Sequence, residues 1–241
     1  MFAPIWLALL WRSPAVLPVT LLIFELGVAA MAEPFTRLTA IAAPLPIDNV
    51  DTDMIWPATA GATMARGEQA RQAFRRLRFS PEGVERPDFI LNREPWRQAR
   101  ILIGGDNFGC GSSRELAVWA LQEWGIDCII APRFGDIFYG NCCINGILPV
   151  RLGREEVDQL LVLAATPDTA VMTVDLQDCT VSAGRLCYSF AIEPRARHGL
   201  LHGLDTIGLT LSGKDKIDAF ARTYLQTYPW LEPDVRDFEW R

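Results

Sequence analysis

Gly104-Gly105-Asp106-Asn107-Phe108-Gly109-Cys110-Gly111-Ser112-Ser113-Arg114-Glu115 gathers two hydroxyls, a guanidinium and several glycines in one short stretch. The apolar run Ile101-Leu102-Ile103 before it reads as a strand, and the residues after it read as the start of a helix. Gly109 and Gly111 let the backbone bend tightly and approach a ligand closely. A helix start leaves N–H groups unpaired and carries the positive end of the dipole. Arg114 adds a planar fork of donors that suits a carboxylate. Such a set can hold an anion or stabilise negative charge developing on oxygen. The same letters also spell a capping box, with Ser112 at the cap and Glu115 three residues later. The serines therefore read either as a helix cap or as part of an anion cradle, and the two uses are compatible only if the cap bond also stabilises negative charge on the serine oxygen. Neither the Walker lysine pattern nor G-x-G-x-x-G occurs here, which disfavours a nucleotide.

Other candidates surround this stretch. Asp51, Thr52 and Asp53 read as a turn that braces the site, since short polar side chains bond nearby backbone at turns. Cys110 lies beside the expected helix start, a place that lowers a thiol's pKa. The six cysteines contain no C-x-x-C pair, a spacing that suits neither zinc nor an iron–sulfur cluster. They read as buried free thiols in a reducing compartment, which points to the cytoplasm. Arg71, Arg75, Arg76 and Arg78 read as a solvated face. His198 and His202 read as surface residues.

The elements that must position these groups follow from the pattern. Strands are expected at 38–47, 99–104, 126–131 and 148–152, and helices at 112–124, 135–143 and 154–165. This β-α-β-α-β order implies an α/β domain with a parallel core. Residues 171–176, 179–181 and 186–192 read as an antiparallel run. A short helical patch is expected near 69–77, and a helix at about 214–228 is expected to close the domain. Half of the 241 residues are apolar, enough for a sizeable core. The net charge of −6 argues against nucleic acid as a partner. Residues 1–31 form an apolar extension ahead of a domain at 32–241. Pro14, Pro18 and Glu25 interrupt it, so it reads poorly as a membrane span. It reads as a misassigned start or a targeting segment.

On these residues the chain resembles the small subunits of aconitase-type hydro-lyases, and within them the isopropylmalate isomerase branch. Residues 104–115 are similar to the family's GxNFGxGSSREHA motif. Asp48 to Pro57 resembles its NVDTDxIxP motif, and Pro87 to Asn92 its PDFVLN segment. Ile129 to Tyr139 and Asn145 to Val150 are similar to IAPSFADIFY and NGLLPV. Gly203 to Leu211 is similar to GLDDIGLTL. Two positions differ. Leu116 stands where the family has histidine, and the segment after Pro57 is small-residue rich.

The resemblance implies a swivelling β/β/α domain and the interconversion of 2- and 3-isopropylmalate by dehydration and rehydration. It implies Ser112 as the base that removes a carbon-bound proton. Ser113, Arg114 and Gly111 would hold the substrate, with Arg66 either on its second carboxylate or an exposed loop arginine. Asp51, Thr52, Asp53 and Asn107 would support them. It implies a [4Fe-4S] cluster on a separate large subunit, with no cofactor on this chain. The two departures leave open another hydroxy diacid of the citraconate or methylmalate type, or a non-catalytic partner subunit.

Overall fold

The computed structural model describes residues 33–60 and 65–231. The expected extension at 1–31 lies outside the described residues, and so does part of the small-residue segment after Pro57.

Seven strands form one sheet in the order β4-β3-β2-β1-β5-β6-β7. β1 (Arg37–Leu45), β2 (Ile101–Gly104), β3 (Cys128–Ala131) and β4 (Leu148–Arg151) run parallel. β5 (Val171–Asp175), β6 (Thr180–Ala183) and β7 (Leu186–Ser189) form the antiparallel half. Every residue of β2 and β3 is buried, as a parallel strand covered on both faces requires. β5 and β6 instead alternate buried and part-exposed positions. β1 joins the two halves. Its residues 42–45 pair in parallel with β2, while residues 37–41 pair antiparallel with β5.

Two hydrophobic clusters flank the sheet. One contains Leu102 and Ile129, and the other contains the intervening Ile101, Ile103, Cys128 and Ile130. That is the period-two alternation of a strand. A helix at Glu115–Trp124 buries Ala117, Val118, Ala120 and Leu121 against the first cluster and stops at Gly125 in the left-handed region. A helix at Arg154–Ala164 buries Val157, Leu160 and Ala164, an i, i+3, i+7 stripe, against the second.

In chain order, α1 is Thr52–Ile55, α2 Arg75–Arg78, α3 Glu115–Trp124, α4 Asp136–Ile144 and α5 Arg154–Ala164. α6 is Pro194–His202, α7 Thr206–Leu211 and α8 Lys214–Thr227. No helix among the described residues is long and apolar enough to cross a membrane.

The fold corrects three expectations. The helical patch near 69–77 is two short pieces, a 3-10 turn at Gln69–Gln72 and α2, separated by the buried Phe74 at φ 52°. α3 begins at Glu115 rather than at Ser112. α8 does not close the domain, because neither α7 nor α8 buries a residue.

Candidate functional site

The parallel pairing of the strands continues into the loops beyond their C-terminal ends. Gly109 N donates to Val50 O at 2.7 Å, and Thr52 N to Cys110 O at 3.0 Å. On the other side, Phe108 N donates to Arg133 O and Gly135 N to Phe108 O, both at 2.9 Å. Three loops are thus laced together at the strand ends, where open α/β sheets take their ligands.

Glycine is required twice in this lacing. Gly109 sits at φ 72°, and a Cβ there would lie 2.2 Å from the Phe138 ring. A Cβ on Gly135 would lie 2.5 Å from the carbonyl oxygen of Gly109.

A cavity of about 320 Å³ opens between the loops, lined by Thr52, residues 109–114 and residues 135–138. A larger hollow of about 400 Å³ lies at the opposite end of the strands, by Arg37, Arg100 and Asp127. Two of its charged groups, Arg100 and Asp127, are paired with each other.

Ser112 and Ser113 are exposed at the mouth of the smaller cavity. Among the described residues, neither hydroxyl takes a hydrogen-bond partner. The backbone beneath them is fixed, because Thr52 Oγ1 donates to Ser112 O at 2.8 Å. Gly111, at φ 88°, turns the chain just before. Arg114 Nη1 donates to Asp53 Oδ1, which also accepts from Ala58 N at 3.0 Å. The Arg114 bond holds the Asp53 carboxyl below the usual carboxylate range. Asp51 caps α1 by accepting from Met54 N at 2.7 Å. Asn107 stands at φ 57° and donates to Asn49 Oδ1 at 2.9 Å on the outer side of the lacing. Seven of the expected site residues (Asp51, Thr52, Asp53, Gly111, Ser112, Ser113 and Arg114) are therefore brought together, with Asn107 behind them.

Several details differ from the sequence reading. Ser112 is not a helix cap. Arg114 occupies the cap position of α3 without a side-chain cap bond, and Glu115 accepts from Asn145 Nδ2 at 2.9 Å instead. The reason is the long-range hold of Thr52 on the Ser112 carbonyl, which keeps both serines out of the helix. The helix start that lines the cavity is that of α4, at 135–138. The signal was present in Phe134-Gly135-Asp136, but nothing local says that it faces the serines.

Cys110 is not activated. Burial, together with the charge of Asp51, pushes its thiol up. Burial likewise raises Cys143 to about 12, and all six cysteines are free, but only Cys128 and Cys142 are fully buried as expected and Cys187 is exposed. Arg66 does not line the cavity. Its guanidinium stacks 4.1 Å from the Trp119 ring centre and Nη2 donates to Asn145 Oδ1 at 3.3 Å.

Arg78 is buried, unlike its neighbours Arg71, Arg75 and Arg76. It lies 3.9 Å over the Trp124 ring, donates to Ala73 O at 3.3 Å, and is lowered by burial to about 10. Leu116 packs half-buried against the first hydrophobic cluster. No group of three or more histidine, cysteine or acidic side chains that could hold a metal occurs among the described residues.

A doubly covered parallel half whose strand-end loops frame an open, cation-bearing cavity defines a domain of the aconitase C-terminal class, and the family model of that description matches residues 32–155. The model for the C-terminal domain of the 3-isopropylmalate dehydratase small subunit matches residues 206–234. The chain belongs to the 3-isopropylmalate dehydratase small-subunit family. It is 50% identical over 202 residues to the member from Rhodospirillum rubrum, covering 83% of this chain and 97% of that protein. It is also 50% identical over 206 residues to the member from Gluconacetobacter diazotrophicus, covering 85% and 100%. A crystal structure titled 3-isopropylmalate dehydratase, from Methanocaldococcus jannaschii, matches with a TM-score of 0.53 at 23% identity. That match covers 76% of this chain and 98% of that one, and it shows the fold.

Proposed function

We propose that the chain is the small subunit of a two-subunit hydro-lyase in leucine biosynthesis that interconverts 2- and 3-isopropylmalate. The observation that carries the reading is a serine whose backbone is fixed while its hydroxyl stands free at the cavity. Ser112 acts as the base. Its alkoxide takes the carbon-bound proton of the diacid and becomes a neutral hydroxyl while the C–O bond on the neighbouring carbon breaks and hydroxide leaves; rehydration adds hydroxide to the carbon that lost the proton and returns the proton from Ser112 to the other carbon.

An alkoxide is costly in water. Here the Arg114 guanidinium, the backbone N–H groups at 111–114 and the start of α4 oppose its charge once the cavity is closed. Ser113 and Arg114 hold one substrate carboxylate. Asp53 keeps the guanidinium aimed, and Asp51, Thr52 and Asn107 keep the loops in register. For Arg66 we propose a positioning part in place of direct substrate contact, because its guanidinium is engaged by Trp119 and Asn145.

A [4Fe-4S] cluster does not fit the described residues of this chain, which bring no three ligands together. It is assigned to the large subunit, where it supplies the Lewis acid of the reaction. A cytoplasmic location is part of the proposal, as is the status of residues 1–31 as an appendage to a domain at 32–241. The start of the family match at residue 32 supports that boundary.

The test mixes this chain with a cluster-loaded large subunit and assays a panel of hydroxy diacids. Activity is expected only in the mixture and highest on isopropylmalate. Ser112→Ala is expected to lower kcat by about 10³-fold with little change in KM. Activity indifferent to that change would remove Ser112 as the base.

A further inference from the structure

The described surface concentrates its exposed large apolar side chains in one segment. Ile207, Leu211, Ile217, Phe220, Tyr224 and Trp230 are each at least 41% exposed, and all lie within 206–231. Leu231 in the same segment is also exposed, and the other large hydrophobics of this kind are Val84, Val162, Val171 and, on α4, Ile137 and Ile144.

On α8, positions 217, 220 and 224 share one face, with Tyr228 following just past the helix end, and Asp215, Arg222 and Gln226 lie on the other face. The apolar face is a ring ladder. Phe220 stacks on Tyr224 at 5.4 Å, Tyr224 meets Tyr228 at 4.9 Å, and Tyr228 meets Trp230 at 5.5 Å. A helix of 14 residues is marginal in water without something to pack on. An apolar patch of this extent marks a docking face. The exposed apolar side chains of 206–231 present roughly 800 Å², one partner's share of a standard stable interface.

The polar face of α8 argues about the occupant. It carries Lys214, Lys216 and Arg222 against Asp215 and Asp218, a nearly balanced set, whereas a helix lying on an anionic membrane is rich in cations there. The segment is also what the small-subunit model adds at 206–234, beyond the wider aconitase-type match at 32–155. A small subunit has to hold its large partner without a covalent link, across a cavity whose serines are open to solvent.

We propose that the α7–α8 arm docks into an apolar groove of the large subunit through the Phe220–Tyr224–Tyr228–Trp230 ladder. The choice of occupant rests on the small-subunit reading above.

The test uses the full chain and the cluster-loaded large subunit. Titration of one with the other gives the Kd, and sedimentation gives the state of each alone. Phe220→Ser with Tyr224→Ser is expected to weaken the Kd by about 100-fold or more, since aromatic anchors dominate interfaces. At saturating large subunit, kcat should return to within about two-fold of the parent, because the ladder takes no part in the chemistry. Trp230→Ala, beyond the end of α8, should weaken binding in the same sense and guards against a helix effect. Gln226→Ala, on the far face, should bind as the parent does.

An unchanged Kd in both ladder variants overturns the proposal. So does a chain that sediments alone as a dimer, becomes monomeric in the double variant and keeps its affinity for the large subunit; the occupant is then a second copy. Ser112→Ala should bind with the parent Kd. Arm-dependent binding without hydro-lyase activity in the mixture would sink the functional reading and leave the docking intact. Activity with arm-independent binding would do the reverse.

Discussion

The serine loop at 109–114 and the arm at 206–231 are both exposed, yet they are built in opposite ways. The loop shows polar hydroxyls to solvent over a backbone fixed from both sides by Val50, Thr52 and Phe138. The arm shows aromatic rings to solvent and buries none of its own residues. Rigid backbone under free polar groups is what preorganised chemistry needs, because the geometry is set before the substrate arrives. Unsupported apolar surface on a helix is what a docking element looks like before its partner is present.

The contrast can be broken most directly at Gly109. Gly109→Val forces a side chain into the Phe138 ring at a positive φ, and a loss of roughly 3 kcal/mol or more of stability is expected. Thermal unfolding of the variant checks it, and a parent-like transition would mean that the loop is not fixed as described.

Arg114→Lys keeps the charge but loses the planar fork that bonds Asp53 and that the proposed function assigns to a substrate carboxylate. About 10- to 100-fold is expected off kcat/KM with the chain still folded. A loss confined to stability would place Arg114 in the scaffold alone.

Asp53 offers a finer probe. Its folded pKa lies below the ordinary 3.8, so the ionised form is favoured in the native state. Its contribution is present above that value and is lost as pH falls below it through the native pKa. Carboxyl titration by NMR should give a midpoint under 3.8, which Arg114→Ala should move back upward. The carboxylate is half exposed, so this pairing concerns aim more than stability.

The smallest effect belongs to the arm. Phe220→Ala should change the unfolding free energy of the isolated chain by no more than about 0.5 kcal/mol, the range of an ordinary surface change. A larger loss in calorimetry would mean that the arm packs on this domain after all.

Much of this was written locally in the chain. Continuous apolar runs such as Ile101-Leu102-Ile103 marked the parallel strands, and the Gly-Ser-Ser-Arg stretch marked the site. Local signals misplaced groups whose position is set by distant partners. Arg78 read as a surface charge until Trp124 and the Ala73 carbonyl were seen to enclose it. Arg66, expected on a substrate carboxylate, is held instead in this structure by Trp119 and Asn145, contacts that its local sequence does not announce.

The amino-acid sequence alone determined the order of the central β-α-β-α-β elements, the strand class and the serine loop that lines the cavity, because hydrophobic period and glycine punctuation act over a few positions, while the helices at Pro194–His202 and Thr206–Leu211 went unread. The tertiary structure decided which serine atoms are free, which helix start faces them and which apolar face is left bare. Those outcomes turn on single contacts such as Thr52 with Ser112, made between residues 60 positions apart, and no local pattern encodes them.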